Sequence, residues 1–424
     1  MNFRESESYL LSLGNEVAAM KLGLENIRTL LNALGDPQNS YLKVQVAGTN
    51  GKGSVCAFLG SICREAGIST GIFTSPHLIS VTERIQINGR DITEDEFANY
   101  AGKVRKAAER LLAEGKIEYR PTFFEQITAI ALTAFAEAGI RLAILETGLG
   151  GRLDATTAAR AEIAAITQID FDHQEYLGQT LTEIASEKAA IIHDGSAVVV
   201  GGQNHEAGTL IRKRLAQLGI EARLGDDVSV EADGSGIRFK TAFEMYQAGR
   251  LGLAGRHQLE NAKVAILLAE TLQRYFAISR SNIAAGLENA RHPGRLERQG
   301  RFLFDGAHNP AGAAALRAYL DEEIRSPLTI VFAAMREKDI AAVADRLFPK
   351  ASALILTRPD NSRAMPTGEL AAFAAGHCDQ GSVYLTDRVR DAINIAREVT
   401  PGDGTILITG SLYLVGEARK ILNN

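Results

Sequence analysis

Gly48, Thr49, Asn50, Gly51, Lys52, Gly53 and Ser54 lie between the apolar run LKVQVA and a helix-like pattern. Residue types in this order can cradle phosphate. Glycines let the backbone turn so that N–H groups meet phosphate oxygens. A helix N-terminus after them adds its dipole. Lys52 can reach the outer phosphates, and the Ser54 hydroxyl can ligate Mg²⁺. The spacing departs from the usual G-x-x-x-x-G-K-[ST] loop. The first glycine is two residues too close, and Gly53 separates the lysine from the serine. The plain alternative is a glycine-rich turn with no ligand.

An ATP site also needs oxygen ligands for Mg²⁺, which keeps several of its waters. The string LAILETGLGGRLDAT closes an apolar run with Glu146. A carboxylate at the C-terminal end of a parallel strand lies where such sheets bind ligands, although a cap or a solvated carboxylate fits the string too. ITQIDFDHQEYLG sets Asp170, Asp172 and His173 just after another strand, and leaves open whether the histidine is a ligand or structural. Lys188, in SEKAAII, reads locally as a lysine whose ammonium reaches solvent. FDGAHNPAG puts Asp305, His308 and Asn309 in a turn with Pro310 opening a helix. That is either a second half-site or a turn fixed by its Asx side chains. ITGSLYL presents Ser411 near a helix start.

The elements that must position these residues alternate. LKVQVAG, STGIFTS, RLAILETG, AEIAAITQI and GSAVVVGG read as strands. Helical patterns cover Thr93 to Glu114, Thr122 to Ala138 and Leu181 to Ile192. Such alternation predicts a mostly parallel sheet with helices on both faces. Residues 222–252 break the rhythm and are expected to form a short antiparallel excursion. From residue 301, GRFLFDGAHN, PLTIVFAAM, ASALILT, GSVYLT and GTILITGS predict a smaller α/β unit. HPGRLERQG, residues 292–300, is the expected hinge. The fold class is therefore α/β: a phosphate-loop ATPase domain with a mostly parallel sheet over residues 1–296, and a smaller Rossmann-like α/β domain over 297–424.

The 424 residues are long enough for two domains. A net charge of −5 argues against a nucleic-acid binder. Three scattered cysteines, Cys56, Cys63 and Cys378, make neither a metal spacing nor a disulfide framework. The N-terminal MNFRESESYLLSL carries charges where a signal peptide needs an apolar run. No apolar stretch is long enough for a membrane span. A soluble cytoplasmic protein with no membrane partner is expected.

In order along the chain stand VAGTNGKGS, SPHL at 75–78, TERI at 82–85, LETGLGGRLDAT, DFDH, EKAAI, HQLENA at 257–262, PGRLE at 293–297, DGAHNP and ITGSLYL. Together they resemble folylpolyglutamate synthase, including the bifunctional dihydrofolate synthase/folylpolyglutamate synthase, of the Mur ligase superfamily. The resemblance runs from about residue 20 to the C-terminus, and the shortened loop is a signature of that superfamily. It implies a monomeric ligase that uses ATP to convert a folate or dihydropteroate carboxylate to an acyl phosphate and joins it to L-glutamate. It implies that Ser54 and Glu146 hold one Mg²⁺, that His173 ligates a second metal, and that Lys188 is carbamylated by CO₂ into an oxygen ligand. It also implies catalytic roles for Lys52, Lys188, His173, Asp305 and His308. Asn261, Arg295, Asp305 and His308 match residues around the nucleotide. Arg84, Thr122, Phe123 and Phe124 match acceptor-contacting positions, and the resemblance implies that Ser411, with Asp305 and His308, lies near the incoming glutamate. Ala19 to Arg28 is expected to help shape the acceptor pocket. EKAAI departs from the family's EKAGI at Ala190, a change a helix tolerates. Three rivals remain. A peptidoglycan Mur ligase needs a further N-terminal domain, for which the residues before the loop's strand are too few. An NTPase without ligase activity needs the loop but not the C-terminal motifs, and a binding module needs neither catalytic lysine nor metal ligands.

Overall fold

A computed structural model describes residues 1–14, 23–234, 236–378 and 380–423. The chain divides into two units. The first comprises Met1–Ile169, Leu177–Gly252 and Glu260–Ala290; the second comprises Asp170–Tyr176, Leu253–Leu259 and Arg291–Asn424.

The first unit is built on eight strands: β1 (Leu42–Ala47), β2 (Thr70–Phe73), β3 (Ile85–Ile87), β4 (Arg90–Asp91), β5 (Leu142–Glu146), β6 (Ile163–Ile166), β7 (Ala197–Val200) and β8 (Arg223–Leu224). Their order across the sheet is β4-β3-β2-β5-β1-β6-β7-β8. The span from β2 to β8 is parallel, and β3 and β4 add an antiparallel edge. Central strands covered on both faces need apolar residues throughout, and β5 and β6 are buried along their whole length. Ala143 and Leu145 of β5 pack with the helix Phe123–Glu137 in one core. Ala47, Ala164 and Ile166 join the helices Leu181–Ala189 and His205–Leu218 in another.

Three helices of the first unit start at hydroxyl caps. Thr93, Thr122 and Thr180 each accept from the backbone N–H three residues on, and a glutamate there returns the bond. Such reciprocal caps satisfy two orphan donors at once. The expected antiparallel excursion is present as β9 (Ser229–Asp233), β10 (Gly236–Lys240) and β11 (Met245–Ala248).

The second unit holds six strands: β12 (Glu297–Gln299), β13 (Phe302–Phe304), β14 (Leu328–Phe332), β15 (Ala353–Leu356), β16 (Val383–Leu385) and β17 (Thr405–Thr409). They run in the order β12-β13-β17-β14-β15-β16, all parallel except β12. The expected hinge is thus in part a strand: Glu297–Gln299 pairs antiparallel with β13. Two glycines and a proline disguised a short edge strand as a linker. Residues 170–176 and 253–259 lie within the span expected for the first domain yet pack in the second unit. Among the described residues no helix is long and apolar enough to cross a membrane.

Candidate active site

In the first unit, β1 delivers the chain to the glycine-rich loop and the helix Lys52–Glu65 leaves it. The loop is fastened to the segment after β6: the Thr49 and Asn50 N–H groups both donate to the Gln168 carbonyl, at 2.9 and 3.2 Å. Two glycines are required by space as well as conformation. Gly48 has φ +150°, and a Cβ there would lie 1.9 Å from the Thr167 hydroxyl. Gly51 has φ +89°, and its Cβ would lie 2.2 Å from Asn261 Oδ1. Asn261 therefore abuts the loop from the helix His257–Leu272. A helix N-terminus directs its first N–H groups and its dipole outward, and the start of the helix Lys52–Glu65 suits an anion in this way.

Lys52 bends back over this loop, its Nζ donating to Gly48 O at 3.0 Å and Thr49 O at 3.1 Å. Lys188 does not reach solvent as its local sequence suggests. It is 4% exposed, and its Nζ also donates to Gly48 O, at 2.9 Å. Two ammonium groups thus meet at one carbonyl. Glu146 ends β5 buried, and its carboxylate accepts from Ser75 N–H at 3.3 Å. Burial and the Glu146 charge push up the thiol of Cys56, in the second turn of the loop's helix. Ser54 is buried in the first turn of that helix.

A hard divalent cation needs few protein oxygens when it retains water. Ser54 and Glu146 supply such oxygens, so the first unit fits one Mg²⁺ in its donor chemistry. Among the described residues no three His, Cys, Asp or Glu side chains gather around a common metal position.

The acceptor candidates also belong to the first unit. Thr122 caps its helix, and its hydroxyl donates to Glu125 Oε2 at 2.9 Å. Phe123 is buried, with the Arg84 guanidinium 5.4 Å over its ring. Arg84 is itself buried and donates through Nε to His77 Nδ1 at 2.8 Å. Burial, then the Arg84 charge, lower the His77 ring to about 3, so it stays a neutral acceptor. Phe124 packs on the turn after Glu146, where a Cβ at Gly148 would lie 2.5 Å from its ring. Of the stretch Ala19 to Arg28, Ala19 to Leu22 lie outside the described residues.

In the second unit the strand ends converge on Asp172. Its Oδ1 pairs with Lys338 Nζ at 2.6 Å, and its Oδ2 accepts from Asn309 Nδ2 at 3.1 Å. His308 Nε2 stands 3.7 Å from Oδ2, and His173 Nε2 lies 3.5 Å from Lys338 Nζ. Burial would raise the Asp172 carboxyl. The interaction with His308 and the charges of Lys338 and His173 outweigh it and hold the carboxyl well below the usual range. Asp305, just past β13, accepts Ala307 N–H at 2.9 Å and Leu296 N–H at 3.0 Å, fixing the turn that carries His308. The Arg295 and Asp305 charges both act on His257, whose ring burial pushes down. Ser411 is buried at the start of the helix Leu412–Asn423, accepting Tyr413 N–H at 3.2 Å.

The first unit therefore gathers Gly48 to Ser54, Lys188 and Asn261 at the loop, with Glu146 beside its helix. The second gathers His173 and His308 around Asp172, and Arg295 with Asp305. Sequence reasoning passed over Lys338. Its signal was available: it follows the apolar strand of PLTIVFAAM, at the carboxyl edge where parallel sheets bind ligands.

Residues 46–269 match the Mur ligase middle domain, and residues 294–412 match the Mur ligase glutamate ligase domain. The chain belongs to the folylpolyglutamate synthase/dihydrofolate synthase family of Mur ligases. A Haloferax volcanii protein named "Probable bifunctional folylpolyglutamate synthase/dihydropteroate synthase" is 34% identical over 99% of this chain. The chain spans 50% of that relative's length. The dihydrofolate synthase/folylpolyglutamate synthase of Bacillus subtilis is 34% identical, with 95% of each protein covered. The structure of Mycobacterium tuberculosis folylpolyglutamate synthase complexed with ADP superimposes with a TM-score of 0.92 at 29% identity, covering 100% of this chain and 98% of that one.

The crowding at Gly51 makes one local prediction. Gly51→Ala adds backbone strain of roughly 1–3 kcal/mol and a clash with Asn261. ADP affinity measured by titration calorimetry is expected to fall about tenfold or more. An unchanged affinity would separate this part of the loop from nucleotide binding.

Proposed function

We propose that this chain is an ATP-dependent ligase that joins L-glutamate to a folate carboxylate through an acyl phosphate, and that it also accepts dihydropteroate. The observation that carries the reading is the meeting of Lys52 and Lys188 at the Gly48 carbonyl, inside a glycine loop that opens a helix. A site that only holds a nucleotide has little need of a second, buried lysine there. The family's glutamate ligase domain supports the choice of amino acid.

In this reading residues 1–296 bind ATP and residues 297–424 bind glutamate. Gly48 to Ser54 receive the phosphates, and Lys52 offsets the charge of the transferred group. Ser54 and Glu146 hold Mg²⁺, while His173 and a carbamylated Lys188 serve a second cation. When bound, these cations spread the negative charge of the phosphoryl oxygens. Asn261 of the first unit, and Arg295, Asp305 and His308 of the second, are each assigned to the nucleotide. Arg84, Thr122, Phe123 and Phe124 serve the acceptor, and Ser411 lies near glutamate.

The chemistry follows from the acceptor. A carboxylate is a poor electrophile because its charge repels nucleophiles. Its oxygen attacks the γ-phosphorus, the bond to the bridging oxygen breaks, and ADP leaves. The glutamate amine then adds to the acyl carbon and phosphate departs, leaving an amide. Water must be excluded while the acyl phosphate exists.

Phosphate release from ATP, assayed with the purified chain in a matrix of glutamate, dihydropteroate and reduced mono- and diglutamyl folates, tests this reading. Release should require glutamate together with an acceptor. Folates alone as acceptors would mark a chain extender without dihydrofolate synthase activity. Release with ATP alone would overturn the ligase reading in favour of an NTPase. Glu146→Gln should raise the Mg²⁺ concentration for half-maximal activity about tenfold or more. An unchanged Mg²⁺ titration would assign the metal to other residues.

A further inference from the structure

Just beyond Glu146 the chain turns through glycines, and the hydrogen bonds of this turn converge on one carboxylate. Asp154 is 5% exposed. Its Oδ2 accepts from Gly148 N–H at 2.8 Å and Leu149 N–H at 3.0 Å. Its Oδ1 accepts from Thr156 N–H at 3.0 Å and from the Thr156 hydroxyl. A carboxylate is needed for this, because an amide would present a donor to one of the two N–H sets.

The network continues into the strand that feeds the phosphate loop. Gln45 of β1 donates through Nε2 to the Thr156 hydroxyl at 2.9 Å and the Thr157 hydroxyl at 2.8 Å. The Thr157 hydroxyl donates to Gly151 O at 2.7 Å. Thr147, next to Glu146, donates from its N–H to Val46 O at 3.0 Å. The far side of the turn reaches the helix of Lys188. Arg152 N–H donates to Glu187 O at 2.9 Å, and the two side chains pair at 2.9 Å. A Cβ at Gly151 would lie 2.7 Å from Glu187 O and 3.0 Å from Lys188 O.

One turn thus touches the strand leading to Gly48, the residues following Glu146, and the backbone that carries Lys188. Displacing it would move the metal carboxylate and the buried ammonium relative to the loop, and catalytic groups misplaced by even 1 Å lose much of their effect.

We infer that Asp154 is a positioning residue, which through the Thr156–Gln45 network sets Glu146 and Lys188 in register with the phosphate loop. The activity arm of its test rests on the ligase reading; the metal-binding arm does not.

The test is Mn²⁺ binding to the full chain in the presence of ADP, read from the electron paramagnetic resonance of free Mn²⁺, beside steady-state kinetics and a thermal unfolding scan. Asp154→Asn should weaken Mn²⁺ binding about 10- to 100-fold and lower kcat with little change in the KM for ATP. Thr156→Val should shift both in the same direction, and Thr156→Ser, which keeps the hydroxyl, should restore them. Wild-type Mn²⁺ affinity and kcat in a folded Asp154→Asn chain overturn the inference. If that variant does not fold, the threonine pair decides, and equal Mn²⁺ affinity in the Val and Ser forms overturns it. A wild-type chain that binds no Mn²⁺ with ADP overturns it as well. A wild-type chain that binds Mn²⁺ but releases no glutamate-dependent phosphate removes the ligase reading alone.

Discussion

Lys52→Ala is expected to lower glutamate-dependent phosphate release by about 10³-fold while leaving the protein folded. Lys52 opens the helix Lys52–Glu65, where alanine is the best helix former, so the backbone tolerates the change. What is lost is the ammonium that lies over the loop, donating to Gly48 O and Thr49 O. The charge of the phosphoryl group being transferred would then face the loop without that lysine. ADP binding should fall far less, because the loop N–H groups and the helix dipole remain. Single-turnover phosphate release and ADP titration on the same variant separate the two effects. Turnover near wild type would remove Lys52 from the reaction. Lys52→Arg should restore little, since a planar guanidinium is no substitute for a compact ammonium in a loop this tight.

The parts of this arrangement written in local sequence were readable. β1, β5, β6, β13 and β17 appear as short apolar runs because strands buried on both faces need them. Gly48 and Gly51 stand out because their backbone angles and close neighbours admit no side chain. Thr122 and Thr180 announce helix starts because a cap must sit at the boundary it satisfies. Features made by distant pairs were not readable. Lys188 resembles any helical lysine until its helix is packed, and only then does its ammonium meet Gly48. Lys338 acquires its meaning from Asp172, far back in the chain. The 170–176 segment reads as a continuation of the first domain because nothing local marks its packing in the second unit. Family resemblance named Lys188 without a physical reason; in the structure its buried Nζ meets the Gly48 carbonyl.

That shared carbonyl carries the second large prediction. Lys52 and Lys188 approach Gly48 O at 3.0 and 2.9 Å, so their nitrogens lie within about 5.9 Å of each other. At an effective dielectric of 20, two cations at that separation repel by about 3 kcal/mol. In the proposed state the Lys188 amine adds to the carbon of CO₂ and releases a proton, becoming an anionic carbamate. Repulsion from Lys52 becomes attraction, and the buried nitrogen gains two oxygens suited to a hard cation. Lys188→Ala should therefore cut phosphate release by about 10³-fold. It should also open a space into which formate or acetate can bring an oxygen pair and partly restore turnover. Lys188→Met fills that space with an apolar chain and should be equally inactive but not rescued. Carbon-13 NMR of the wild-type chain in labelled bicarbonate should show a carbamate signal that Lys188→Ala lacks. Full activity in Lys188→Ala, or equal rescue of the Ala and Met variants, would mean that the ammonium serves only to brace the Gly48 carbonyl. The oxygens for a second cation would then have to come from elsewhere.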